Sequence, residues 1–169
     1  MSHSYCSACG HAFPDAMATY PRSCAHCGHV TYCNPLPVGV VLQPVGEGLL
    51  IIQRDVDEGR GDWALPGGFL ECGESWQKGT ARELWEETGL QVAPNDLQVF
   101  QLSSSPDGRY LMIFALAPPL AGSDLPAPQT RAEVSDLRVM ARPEPLAFPL
   151  HEEAARRFFE QRQPPRNST

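Results

Sequence analysis

The chain has 169 residues and a mass of 18.5 kDa, room for one ordinary domain and a small appendage. Apolar residues make up 42%, enough for a core, while 13 basic against 20 acidic residues give a net charge of −7. That balance excludes the basic footprint needed for sequence-independent nucleic-acid binding and excludes a polybasic membrane anchor.

Among the basic residues only Lys78 is a lysine. No run approaches the roughly 18–20 apolar residues needed to cross a bilayer. Met1-Ser-His-Ser-Tyr-Cys6 lacks the basic stretch and apolar core of a signal peptide. The expected location is the cytosol, where thiols stay reduced and paired cysteines more often hold metal than form disulfides.

The first segment, residues 1–34, repeats one hexapeptide: Cys6-Ser-Ala-Cys9-Gly10-His11 and Cys24-Ala-His-Cys27-Gly28-His29, with 14 residues between Cys9 and Cys24. It has too few aliphatic residues for a core of its own. Two Cys-x-x-Cys pairs across a short loop place four thiolates where they can converge tetrahedrally, the shell Zn²⁺ favours in structural sites. The glycine after each second cysteine lets the turn adopt positive φ and aim backbone N–H groups at sulfur. Cys6, Cys9, Cys24 and Cys27 are therefore the expected ligands of one structural Zn²⁺ in a zinc ribbon. The alternative is a pair of redox dithiols or disulfides, but a redox Cys-x-x-Cys opens a helix and does not recur. His11 and His29 read as surface residues, and Cys33 and Cys72 have no partner spacing.

Asn34-Pro35-Leu36-Pro37 is a stiff connector. Val38–Gln43 and Leu49–Arg54 read as strands, joined as a hairpin by the turn residues Pro44–Gly48. Residues 55–62 are a loop, and Trp63–Leu70 is strand-like but broken by glycines. A helix is expected over Ser75–Thr88, stopped by Gly89. Further strands are expected over Leu97–Leu102, Tyr110–Leu116 and Val134–Ala141, with a proline-rich loop over residues 118–128. A last helix is expected over Leu150–Gln161, and residues 164–169 read as a disordered tail. Strands mixed with two helices indicate an α/β domain.

Five acidic residues fall between Glu71 and Glu87. On a helix, residues three and four apart share a face, so Glu83, Glu86 and Glu87 project together while Ala81, Leu84 and Trp85 form an apolar stripe. Three carboxylates on one face repel unless neutralised. A solvated acidic face does not account for Gly67-Gly68, the isolated Glu74 and Arg82 at fixed offsets. Mg²⁺ or Mn²⁺ does, because these hard cations take carboxylate oxygens and bridge to phosphates. Arg82 is expected to pair with Glu74 and brace the loop against the helix.

The frame Gly68-x5-Glu74-x7-Arg82-Glu83-Leu84-x-Glu86-Glu87-x-Gly89-Leu90 resembles the Nudix box of the Nudix hydrolases at every defining position. The resemblance implies an α/β/α sandwich with a mixed sheet over residues 35–163. It also implies metal-dependent hydrolysis of a nucleoside diphosphate linked to another moiety. By position, Glu83, Glu86 and Glu87 are implied as Mg²⁺ ligands, with Gly67 offering its carbonyl. The general base is a box glutamate or an acid from another loop. Glu133 is that outside candidate, beside the plain reading of a surface glutamate. Gly68 permits close approach of substrate. Arg54 and Arg109 are candidates for phosphate or ribose, and Phe69, Tyr110 and Trp76 for adenine stacking, each beside the plain reading of surface charge or packing.

A zinc ribbon ahead of such a domain resembles two subgroups. The NADH and NAD-cap pyrophosphatases carry a Ser-Gln-Pro-Trp-Pro-Phe-Pro motif that is missing after Leu90, and usually a longer region before the ribbon. The second subgroup runs from a short ribbon straight into Asn34-Pro35 and resembles ADP-ribose and FAD pyrophosphatases. ADP-ribose is the first expectation, split to AMP and ribose 5-phosphate. Some Nudix domains only sense nucleotides, with the ribbon as a contact surface, but those are expected to lose box glutamates. A homodimer is compatible with the resemblance.

Overall fold

A computed structural model describes residues 4–14, 19–121, 125 and 133–162, and the chain divides into two compact units, Met1–Pro35 and Leu36–Thr169. The tail expected over residues 164–169, and much of the proline-rich loop, lie outside the described residues.

In the first unit the two hexapeptides fold alike. Cys6 N donates to His11 O at 2.8 Å and Gly10 N to Cys6 O at 2.9 Å; Cys24 N donates to His29 O at 2.9 Å and Gly28 N to Cys24 O at 2.8 Å. Gly10 and Gly28 hold φ of 71° and 75°, the left-handed turn anticipated for them. Strands β1 (Arg22–Ser23) and β2 (Val30–Thr31) pair antiparallel. Cys6 and Cys24 are the buried apolar residues of this unit among those described. Arg22 is buried between the rings of Phe13 and Tyr20.

The second unit is built on two four-stranded sheets. In one, β3 (Leu36–Leu42) pairs parallel with β9 (Tyr110–Leu116), while β7 (Gly67–Phe69) and β8 (Gln98–Ser104) add antiparallel in the order β7-β3-β9-β8. In the other, β5 (Gly48–Arg54) lies between β10 (Val134–Met140) on one edge and β4 (Pro44–Val45) and β6 (Trp63–Ala64) on the other. β3 and β5 are apolar almost throughout because both faces are buried. Val41, Leu50 and Ile52 pack with Ala81 and Leu84 of helix α1 (Trp76–Thr88). Val40, Leu42, Leu49 and Ile51 pack with Ala154, Ala155, Phe158 and Phe159 of helix α2 (Pro149–Arg162). The result is an α/β sandwich with mixed strands between helices, the architecture that the resemblance implied.

Two expectations need correction. β3 and β5 do not form a hairpin. The chain leaves one sheet at Gln43 and enters the other, and the turn at Gly46-Glu47 closes only the two-residue β4 against β5. The edges of β3 are taken by β7 and β9 and those of β5 by β10, β4 and β6, so neither strand has an edge left for the other. Trp85 is not core but half exposed, since it lies about 100° round the helix from Leu84. Thr80 and Thr88 complete the buried stripe instead.

Gln43 secures the crossing. It is buried, and its Nε2 donates to Pro44 O at 3.1 Å and to Pro118 O at 2.8 Å. Gln43→Leu keeps the bulk but leaves both carbonyls without that donor. It is expected to lower the unfolding free energy by about 1–3 kcal/mol, read from urea denaturation. An unchanged midpoint would assign the crossing to packing alone.

Candidate active site and cysteine cluster

Ser75 caps α1, accepting from Lys78 N at 3.3 Å, and Gly89 closes it in a left-handed turn. On this helix Glu83 and Glu87 reach β7, while Glu86 stands more exposed beside Arg82. Glu87 sits at the edge of the buried stripe, 9% exposed, and its Oε2 accepts from Gly67 N at 2.7 Å. The strand lies this close because it has no side chains there. A Cβ on Gly67 would fall 2.2 Å from Gly39 O, and one on Gly68 2.5 Å from Glu83 Oε2.

Arg82 gathers the remaining acids. It meets Glu74 with two nitrogens, Nη2 at 2.9 Å and Nε at 3.3 Å. Its Nη1 donates to Glu83 Oε1 at 2.7 Å and Glu86 Oε2 at 3.1 Å, and Nη2 also reaches Phe69 O at 3.0 Å. Glu74 further accepts from Glu71 N at 2.7 Å. The Arg82 guanidinium and that backbone N–H hold the Glu74 carboxyl below its ordinary range. The expected brace between Arg82 and Glu74 is present, and it also grips two box glutamates.

Charge is unevenly balanced here. Burial raises Glu83 above its ordinary range despite Arg82. Burial also pushes Glu87 up to about 8; the Gly67 N–H opposes this, and the negative Glu83 and Glu133 add to it. Arg54 acts on Glu87 in the opposite sense. Arg54 ends β5 opposite Val134, and Asp55 N donates to Glu133 O at 2.8 Å, so Arg54 and Glu133 arrive side by side from paired strands. The structure thus gathers Gly67, Gly68, Glu74, Arg82, Glu83, Glu86, Glu87, Arg54 and Glu133.

Other sequence candidates lie apart. Arg109 is on the β8–β9 turn, 3.9 Å from Asp107 and 5.9 Å from the Tyr110 ring centroid, and meets none of the box residues among those described. Phe69 is exposed and its ring is 5.8 Å from that of Tyr110. Trp76 packs on the core. One neighbour of the site carries no motif: Phe148, whose ring lies 4.8 Å from the Arg54 guanidinium. Its sequence signal is only an aromatic residue ahead of the proline that opens α2.

The donor atoms differ in their readiness for metal. Among the described residues, Cys6, Cys9, Cys24 and Cys27 alone bring three or more ligand atoms within 4.8 Å of one another. The Sγ atoms of Cys6 and Cys27 are 3.7 Å apart, as are those of Cys9 and Cys24. Zn–S bonds of about 2.3 Å in a tetrahedron give an edge of about 3.8 Å, whereas a disulfide needs about 2.05 Å. Burial raises the Cys6 thiol, but the N–H groups of Ala8 and Cys9 and the Cys27 thiol outweigh it and bring it to about 6. Four thiols around a metal-sized space fit a divalent ion. The glutamates are splayed by comparison, two held by Arg82 and one by Gly67 N. Their fit to a hard cation rests on oxygen chemistry and on the unbalanced charge around Glu87.

The NUDIX domain family matches residues 34–161. NAD-capped RNA hydrolase NudC of Haemophilus influenzae is 30% identical over 93 residues, covering 54% of this chain and 35% of that protein. The match therefore spans about a third of the curated relative's length. A NUDIX hydrolase from Nitrosomonas europaea has a similar structure, with TM-score 0.73 and 25% identity, covering 95% of this chain and 92% of that one. A bifunctional NMN adenylyltransferase/ADP ribose pyrophosphatase from Francisella tularensis, complexed with AMP and a Mn ion, has TM-score 0.56 and 26% identity, covering 65% of this chain and 35% of that one. Matched over residues 34–161, most of its length, and carrying the box between β7 and the end of α1, the chain belongs to the NUDIX domain family.

Proposed function

We propose that the protein hydrolyses the diphosphate of a nucleoside diphosphate linked to another moiety, with ADP-ribose as first substrate, giving AMP and ribose 5-phosphate. The observation that carries this is the buried Glu87, hydrogen-bonded to Gly67 N and set among Glu83, Arg82, Arg54 and Glu133. Glu83, Glu86 and Glu87, with the Gly67 carbonyl, would hold Mg²⁺ or Mn²⁺. Such ions supply charge neutralisation at phosphate and lower the pKa of bound water.

The chain's own residues do the rest. Arg82 and Glu74 keep the box loop against α1, and Gly68 leaves room for a phosphate to approach the backbone. Arg54 offers two terminal nitrogens to a phosphate oxygen. Glu133 is the outside acid that can take a proton from water. The four cysteines hold one structural Zn²⁺ whose closed shell leaves no open position.

The similarity to NAD-capped RNA hydrolases favours a second reading, an NADH or NAD-cap substrate at the same residues. Release of AMP from ADP-ribose, FAD, NADH, NAD⁺ and diadenosine polyphosphates, measured with Mg²⁺, separates the two. Turnover of none of them would leave the non-catalytic sensing role.

Glu87→Gln is expected to lower kcat at least 100-fold while preserving the fold. Its effect on stability has a definite sign. Folded Glu87 binds its proton more tightly than the unfolded residue, with about 8 against an ordinary 4.5. The metal-free wild type therefore loses stability across that window as pH rises. The Gln variant should melt above the wild type at pH 8 and converge with it near pH 5. A pH-independent gap would show that Glu87 is not the titrating group.

Cys24→Ser should lower zinc below one per chain by elemental analysis and loosen residues 1–34. Retention of one zinc would overturn the four-cysteine assignment.

A further inference from the structure

Arg54 has an unusual support. Its Nε donates to Glu58 O at 2.9 Å, and its guanidinium lies 4.8 Å from the Phe148 ring centroid. Among the described residues its terminal nitrogens have no hydrogen-bond acceptor. Phe148 is itself backed by His151, ring centroids 5.0 Å apart and inclined at 59°. His151 meets Phe114 edge-on at 5.7 Å, and Phe114 is fully buried. The stack is tied to the strand that carries Arg54: Ala147 N donates to Trp63 O at 2.7 Å, and Trp63 pairs with Gln53. His151 N donates to Phe148 O at 3.0 Å. A line of rings thus runs from the sheet interior to one cation at the edge of the acidic site.

His151 lies at the base of this stack. It is 4% exposed, and its Nδ1 has no hydrogen-bond partner among the described residues. An unpaired buried Nδ1 costs stability, which the packing of the ring between Phe148 and Phe114 must offset. Burial, helped by Arg54, keeps it neutral by lowering its pKa to about 3. Neutrality matters, since a charged ring would repel the guanidinium it helps to support.

We propose that Phe148 and His151 are positioning residues that hold the Arg54 guanidinium over a fixed aromatic platform, with its terminal nitrogens free for a substrate phosphate. The proposal rests on reading this site as one for nucleoside diphosphates. A ring face restrains a guanidinium without occupying its in-plane donors, so the donors stay available while their swing is limited. Removing the platform should weaken substrate capture more than turnover.

The test has a kinetic and a spectroscopic arm. With ADP-ribose and Mg²⁺, Phe148→Ala should raise KM about tenfold, the order expected for losing a partly desolvated cation–π contact, with kcat nearly unchanged. Phe148→Tyr and His151→Phe, which keep the rings, should restore wild-type KM. Phe148→Ala added to Arg54→Ala should have no further effect. Additive losses, or a Tyr variant as impaired as Ala, would overturn the proposal. In ¹H–¹⁵N NMR of the full chain, Arg54 Nε–H should carry a ring-current shift that Phe148→Ala removes and His151→Phe retains. Phe148→Leu serves the same purpose should the Ala variant fail to fold. No turnover by the wild type would defeat the parent reading, and an unshifted Arg54 resonance would defeat the platform by itself.

Discussion

The arrangement of the site depends on one guanidinium. Arg82 stands on the acidic face of α1 and meets Glu74, Glu83, Glu86 and the Phe69 carbonyl at once. Without it, like charges would drive the box loop from the helix and the glutamates from each other. Isolated exposed ion pairs contribute little, because water and side-chain entropy absorb the Coulomb gain. This pair is two-pronged and only a quarter exposed at the arginine, and it is joined to a backbone carbonyl, so geometry as well as charge is fixed. Arg82 binds two residues proposed as cation ligands, so metal loading must redistribute its contacts. Its hold on Glu74 can persist through that change.

The scaffold brings distant segments to this point by alternation. Neighbouring residues of β3 and β5 point to opposite helices, so each strand is pinned on both faces and has no freedom to slip register. Between the sheets, the chain passes from β6 to β7 through Leu65 and Pro66. The short path delivers Gly67 and Gly68 to α1 while leaving Trp63 beside Gln53. Arg54 and Glu133 come from the pairing of β5 with β10. A site made from the ends of several strands and one helix face inherits the rigidity of a doubly buried core.

Much of this was legible in sequence, and the reasons differ by element. The box helix was readable because its stop signal and carboxylate spacing are local properties of a 3.6-residue period. The cysteine knuckles were readable because each repeats one hexapeptide whose glycine must turn left-handed. What escaped was tertiary. Nothing local distinguishes a tight hairpin from a crossover between sheets, so the pairing of β3 and β5 was misassigned although both strands were located. Trp85 matched the apolar stripe by composition but sits past its edge by angle. Phe148 and His151 gain meaning only when α2 is laid against β5, some ninety residues earlier in the chain.

The scarcity of lysine also acquires a physical sense. Arg22, Arg54, Arg138 and Arg162 each lie over an aromatic ring, at 4.7 Å from Tyr20, 4.8 Å from Phe148, 4.3 Å from Trp63 and 5.1 Å from Phe158. A lysine ammonium is compact and strongly hydrated, and it does not lie flat on a ring while keeping in-plane donors. Arginines over a ring can still donate: Arg138 binds Glu144, Arg162 reaches Gly46 O and Arg54 holds Glu58 O. A chain with a charge of −7 would repel the nucleoside diphosphate proposed as its substrate, so its long-range field would not supply affinity. Capture of that substrate would then come from close contacts, through recruited cations and a few arginines already fixed in place. On the proposed reading, rigid placement of each positive charge would replace abundance of positive charge, and Arg54 would matter more here than on a basic surface.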